Sequence, residues 1–159
     1  MHQTNPTLRR FMTKEHLETA CSHVLYHLIE SINDADYVPP DLYSFPGGSC
    51  ELTSYWLCIL LNRIGFKNVM FCNGSRQLAH EDLPKNHVWL HVENCYYVDI
   101  TGYQFDNCNT SIVIEESLPS YLRDFKPFRK YPLEEANAAC MQDSNYNAIW
   151  QDLNKRLSA

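Results

Sequence analysis

Residues 50–63 are apolar on almost every side, and a helix with that pattern must lie inside whatever the chain folds into. Leu52, Tyr55, Trp56, Ile59, Leu60 and Ile64 recur at three- and four-residue steps as one stripe. Leu57, Cys58 and Leu61 make the opposite side apolar too, so the helix is expected to be buried on several sides. Gly65 follows as a helix stop. Just before it runs Pro46-Gly47-Gly48-Ser49, a glycine-rich turn, so Cys50 opens the most buried helix of the protein.

Around this helix the pattern changes twice. Upstream, Leu17, Cys21, Val24, Leu25, Leu28, Ile29 and Ile32 predict a helix over 14–32, and residues 37–49 predict a Pro- and Gly-containing loop. Downstream the period falls to two. Strands are predicted at 66–72, 87–92, 96–100 and 111–115, with a polar loop at 73–86 and a short Glu93-Asn94-Cys95 turn. The last third predicts helical pieces near 118–125 and 133–157, the second interrupted around 143–145. There is no internal repeat and no low-complexity segment. A length of 159 residues favours one domain, 1–159, with its motifs in about 45–115. The expected fold is α+β: a buried catalytic helix packed on an antiparallel β-sheet, with flanking helices at both ends.

The central hairpin has a register that burial alone selects. Val88, Leu90 and Val92 point one way, and His87, Trp89 and His91 the other. On the return strand Tyr96, Val98 and Ile100 alternate with Tyr97 and Asp99. A two-residue loop sets Leu90 against Asp99, burying a charge among aliphatics. A three-residue loop pairs Val92 with Tyr96 and Trp89 with Asp99, so the apolar sets coincide. Asp99 then lies diagonal to His87, about 7–8 Å away between backbones and within side-chain reach. It lies diagonal to His91 as well.

These placements suit nucleophilic catalysis. A cysteine attacks as its thiolate, which a helix N-terminus and a neighbouring imidazolium both favour. Gly47 and Gly48 keep side chains away from the approach, and backbone N–H groups, including that of Cys50, then face a substrate carbonyl as half of an oxyanion hole. His87 would act as base and then acid, with Asp99 orienting it. Each residue also has an ordinary role. Cysteines at helix starts are usually small buried residues, Trp89 is more often core than substrate clamp, and Asp99 can simply end a strand. The order and placing of Cys, His and Asp together favour chemistry. A metal site could draw on His87, His91 and Cys95, with His80 as a further candidate, but no fourth ligand is obvious, so no metal is expected.

Gly-Ser-Cys-Glu-Leu-Thr-Ser ahead of the apolar helix, His-Val-Trp-Leu-His-Val and Val-Asp-Ile-Thr together resemble the transglutaminase-like superfamily, part of the wider papain-like cysteine fold, to which arylamine N-acetyltransferases are also related. The family pattern is a Cys opening a helix, then His-Ala-Trp, then Asp-Pro-Thr. The resemblance implies Cys50 as nucleophile, His87 rather than His91 as base, and Asp99 as orienting acid. Val88 and Ile100 depart from the pattern. The tail Asp-Ile-Thr-Gly-Tyr-Gln-Phe resembles a version found in small bacterial members. Gly48, Ser49, Trp89 and Gln104 are the candidates for substrate-binding or oxyanion contacts, and no cofactor is implied.

Composition narrows the partners. With 45% apolar and 13% aromatic residues the chain is a folded globular protein, and its net charge of −6 argues against a nucleic-acid binder. No apolar stretch reaches the length of a membrane span, and the N-terminus lacks a secretory signal, so a cytoplasmic location is expected. The seven cysteines are odd in number, scattered and without a CxxC pair, which suits reduced thiols. The expected activity is acyl transfer through a thioester on a protein or peptide substrate: protease, deamidase or transglutaminase. The alternative is a catalytically silent binding module that kept the fold. A small catalytic unit also suits a toxin or effector delivered by a dedicated secretion system.

Overall fold

A computed structural model describes residues 13–136 and 144–159. Helix α1, Lys14–Asn33, starts at Thr13, whose hydroxyl accepts from the His16 N–H while the His16 ring accepts from the Thr13 N–H, a reciprocal cap. It buries Leu17, Cys21, Val24, Leu25 and Leu28, whereas Ile29, expected in the same stripe, lies on the exposed flank. Helix α2, Cys50–Ile64, is enclosed along most of its circumference by Leu52, Trp56, Leu57, Cys58, Leu60 and Leu61. It ends on Gly65 at φ +117°, a left-handed stop that lets the Gly65 and Phe66 N–H groups bond back to Leu61.

Five antiparallel strands follow: β1 Met70–Arg76, β2 Lys85–Val92, β3 Tyr96–Asp99, β4 Val113–Glu115 and β5 Arg129–Tyr131, in spatial order β4-β3-β2-β1-β5. The architecture is therefore α+β, as expected. The β2–β3 hairpin pairs Val92 with Tyr96 and Leu90 with Val98, the three-residue-loop register, with Glu93 and Asn94 both at positive φ in the turn.

Several elements differ from expectation. β1 begins four residues late, because Phe66 is still bound to the end of α2 and Asn68 takes φ +52° before the chain extends. β1 also runs through Gly74 to Arg76, pairing with an equally extended β2, so part of the expected 73–86 loop is sheet. Gly74 is there for a close approach: a Cβ would strike the Phe125 carbonyl oxygen. β5 was not expected at all, since three residues between Pro127 and Pro132 carry no readable alternation.

In place of a helix at 118–125 there is a tighter 3-10 segment, Ser120–Phe125, after Pro119. Helix α3 covers Ser144–Leu157, and residues 133–135 form only a 3-10 turn. Of the expected 133–157 helix, 137–143 with Cys140 lie outside the described residues, as do Met1 to Met12, and at the expected interruption around 143–145 Ser144 and Asn145 already form the first turn of α3.

The sheet is covered on both sides. Val88, Leu90, Val92, Val98 and Ile100 pack with α1, α2 and α3 in one core. Cys72, Trp89 and Val113 pack under Phe105, Tyr121, Leu122 and Phe125 in a second. α3 is tied to α1 by Arg156, which reaches Glu30, Asp34 and Asp152, and Trp150 stacks on Trp56. Among the described residues no helix is long and apolar enough to cross a membrane.

Candidate active site

Cys50 is the first residue of α2 and is half-buried. Gly48 carries φ +73° with open space where a Cβ would go, so glycine serves the backbone conformation there. Ser49 is fully buried and its hydroxyl donates to the Pro46 carbonyl at 2.8 Å. It is thereby spent on the loop, and no side chain caps α2. The positive end of the helix dipole stands open beside Cys50.

His87 and Asp99 are brought together by the hairpin. His87 Nε2 lies 2.6 Å from Asp99 Oδ2, with exposures of 0% and 3%. Asp99 Oδ1 accepts from the Thr101 N–H at 3.0 Å and the Thr101 hydroxyl at 3.3 Å. Asp99 Oδ2 also accepts from the Tyr121 hydroxyl at 2.6 Å. The imidazole is walled by Trp89 at 5.8 Å, Phe105 edge-on at 4.9 Å and Phe125 at 5.8 Å. Its Nδ1 has the Gln104 Nε2 at 3.5 Å, and Cys50 is near enough to help raise the pKa of the imidazole.

The electrostatics follow from this enclosure. Burial pulls the His87 imidazolium down, but the charge and hydrogen bond of Asp99, aided by Cys50, overcome it and raise the pKa to about 9. Burial pushes the Asp99 carboxyl up, and His87, the Tyr121 hydroxyl and the Thr101 N–H together more than offset it, holding the group below the usual carboxylate range. The pair is thus charged, imidazolium against carboxylate. Burial meanwhile pushes the Cys21, Cys58 and Cys72 thiols up to about 12 and raises Cys108 as well, so these four stay protonated and inert.

The other expected residues sort differently. Trp89 is 0% exposed, with Phe125 and Phe128 against it and its Nε1 unpartnered, so it braces His87 from behind and is not placed to clamp a substrate. His91 is drawn away from Asp99: its Nδ1 lies 2.9 Å from Lys130 Nζ on β5, and burial followed by that charge lowers its pKa. His80 is exposed and Cys95 half-buried in the hairpin turn. Among the described residues no three His, Cys, Asp or Glu side chains are grouped to hold a metal ion.

Gln104 is half-buried, donates to the Thr101 carbonyl at 3.1 Å and borders a cavity of about 690 Å³. Arg76, Glu81, Lys85 and Phe105 line the same space. Arg76 pairs with Glu81 at 3.1 Å and lies 4.8 Å from the ring centres of both Phe105 and Phe125. Gln104 joins this space to the imidazole, and Cys50, His87 and Asp99 are not among the residues that line it.

Sequence reasoning missed Tyr121, Phe105, Gly102 and Phe125. Phe105 and Gly102 lie inside the motif-bearing core and could have been included by proximity to Thr101. Nothing in the run Ser120-Tyr121-Leu122 announces a contact 22 residues back.

No protein-family model and no curated protein matches the chain. Among solved structures it is similar to the catalytic domain of the Salmonella virulence factor SseI, with a TM-score of 0.43 and 18% identity over 78% of this chain and 76% of that one.

Proposed function

We propose that the chain is a cysteine-dependent acyl-transfer enzyme acting on a peptide or glutamine side-chain amide. The observation that carries this reading is the buried, charged His87–Asp99 pair beside Cys50, a half-buried cysteine at an uncapped helix N-terminus. Residue order and the resemblance of the three motifs to transglutaminase-like proteins support the same reading.

In the first half-reaction the Cys50 thiolate attacks the amide carbonyl and a C–S bond forms. The carbonyl oxygen gathers negative charge, which the N–H of Cys50 at the helix end stabilises. His87 then gives its proton to the departing nitrogen as the C–N bond breaks, leaving a thioester. In the second, water or an amine adds to the thioester while His87 takes its proton, and the C–S bond breaks to restore Cys50. Asp99 holds the imidazole throughout. Water makes the enzyme a protease or deamidase, and a lysine amine makes it a transglutaminase.

The test is mass spectrometry of a proteome incubated with the protein and, in parallel, with Cys50→Ala. Exchange of ammonia for water, a crosslink or a cleavage is expected with the first and absent with the second. Iodoacetamide near pH 6 is expected to label Cys50 ahead of Cys95, which is also half-buried. If Cys50 reacts no faster, or the products survive Cys50→Ala, the enzyme reading fails and the silent binding module takes its place.

A further inference from the structure

Asp99 accepts hydrogen bonds on both oxygens, and three of its four donors are local: two from Thr101 and one from His87 across the hairpin. The fourth, the Tyr121 hydroxyl, comes from the distant 3-10 segment Ser120–Phe125, and its side chain is buried. Two glycines make room for that segment. At Gly102 a Cβ would lie 2.7 Å from Asp99 Oδ2 and 2.8 Å from Tyr121 Cζ, against the hydroxyl itself. At Gly74 a Cβ would press on the Phe125 backbone and lie 3.0 Å from its Cβ. At both positions the missing side chain is space the 120–125 segment occupies.

We propose that Tyr121 is a positioning residue for the Cys50–His87–Asp99 site, fixing Asp99 and through it the plane and charge of the His87 ring, with Gly102 as the opening that admits its hydroxyl. This rests on the acyl-transfer reading above. The side-chain torsion of an aspartate is broad, so a carboxylate held on one oxygen can still swing. Thr101 holds only Oδ1. Without Tyr121, Oδ2 would be bound by His87 alone, and the residue to be positioned would be the one doing the positioning. A phenol suits this role, because burial and then the Asp99 charge keep it protonated, so it donates one hydrogen and adds no charge. The titratable and charged groups around the network are Cys50 from α2, His87 from β2, Asp99 from β3, and Cys108, whose thiol approaches the Tyr121 hydroxyl. Arg76 stands behind Phe105 and Phe125.

Tyr121→Phe keeps the ring and removes the donor. Asp99 then draws harder on the shared proton, so the His87 titration midpoint, followed by NMR of the ring nitrogens, is expected to rise by roughly half a pH unit. The rate of Cys50 alkylation is expected to fall about tenfold, as for loss of a hydrogen bond to a charged group. Gly102→Ala, which displaces the hydroxyl, should reproduce both changes, and the double variant should lose no more than the worse single one. A Tyr121→Phe protein that melts earlier yet keeps the wild-type His87 titration has lost only packing, and that result overturns the proposal. If wild-type Cys50 proves unreactive, the acyl-transfer reading fails while the His87 titration still decides the role of Tyr121. Should Tyr121→Phe not fold, the unmodified protein serves: a Tyr121 hydroxyl proton protected from exchange and close to His87 is expected, and its absence overturns the proposal.

Discussion

Cys50, His87 and Asp99 owe their relation to different kinds of contact. His87 and Asp99 meet because two strands in one register put them on the same face, and burial then forces them to pair, since an isolated buried charge is costly. Cys50 comes from the other layer and meets them only where α2 begins. Asp99→Asn keeps the shape but leaves the imidazole without its counter-charge. It is expected to cut Cys50 alkylation near neutral pH by about 10²-fold, the lower range for a positioned acid–base group. A rate within about twofold of wild type, small against that loss, would remove Asp99 from the site. His91 shows how little a motif says about one residue. In the hairpin register both histidines lie diagonal to Asp99, and the family resemblance had to choose between them. In the structure the choice is physical, because Lys130 on the unforeseen strand β5 sits at the Nδ1 of His91.

α2 is the element around which the rest is arranged. Leu57 and Leu61 are buried with exposures of 1% and 0%, and the Ser54 hydroxyl reaches the Val88 carbonyl on β2 at 3.3 Å. Leu57→Ala is expected to cost about 2–5 kcal/mol in urea unfolding, as for other large-to-small changes in a packed core. A cost under about 1 kcal/mol would mean that the helix is less enclosed than the burial of Leu57 implies. The 120–125 segment is the second organising element. Gly74→Ala should push it outward, destabilising the protein by about 1–3 kcal/mol through overpacking. The same change should raise amide exchange at 120–125 more than in α2; equal exchange in both would argue against a local displacement. Both helices α1 and α2 could be read from their apolar spacing, because a 3.6-residue repeat needs no knowledge of the partner. The 120–125 segment and β5 could not, because each is short and takes its conformation from the sheet it lies on.

The whole molecule closes a sheet between two cores and buries the charged His87–Asp99 pair against the second, under Phe105, Tyr121 and Phe125, so stability should carry the pair's signature in pH. The His87 pKa is raised above its unfolded value of 6.5, so its contribution is fully present below that value and is lost as pH rises through about 9. The Asp99 pKa is lowered below 3.8, so its contribution is present above that value and is lost as pH falls through the depressed one. The difference in melting temperature between wild type and His87→Asn should be widest between these two unfolded values and shrink towards pH 9 and beyond. Parallel melting curves across that range would show that the pair is not charged in the folded state.

The sequence alone determined the two leading helices, the α+β class, the β2–β3 register and the position of Cys50 at the mouth of its helix. Each rests on local periodicity or on burial within a single hairpin, which neighbouring residues encode. Only the tertiary structure decided that Trp89 is a brace, that Lys130 takes His91, that Gly74 and Gly102 are openings, and that Tyr121 reaches Asp99. Those depend on which segments cover the second face of the sheet, and close approach between residues far apart in the chain leaves no period to read.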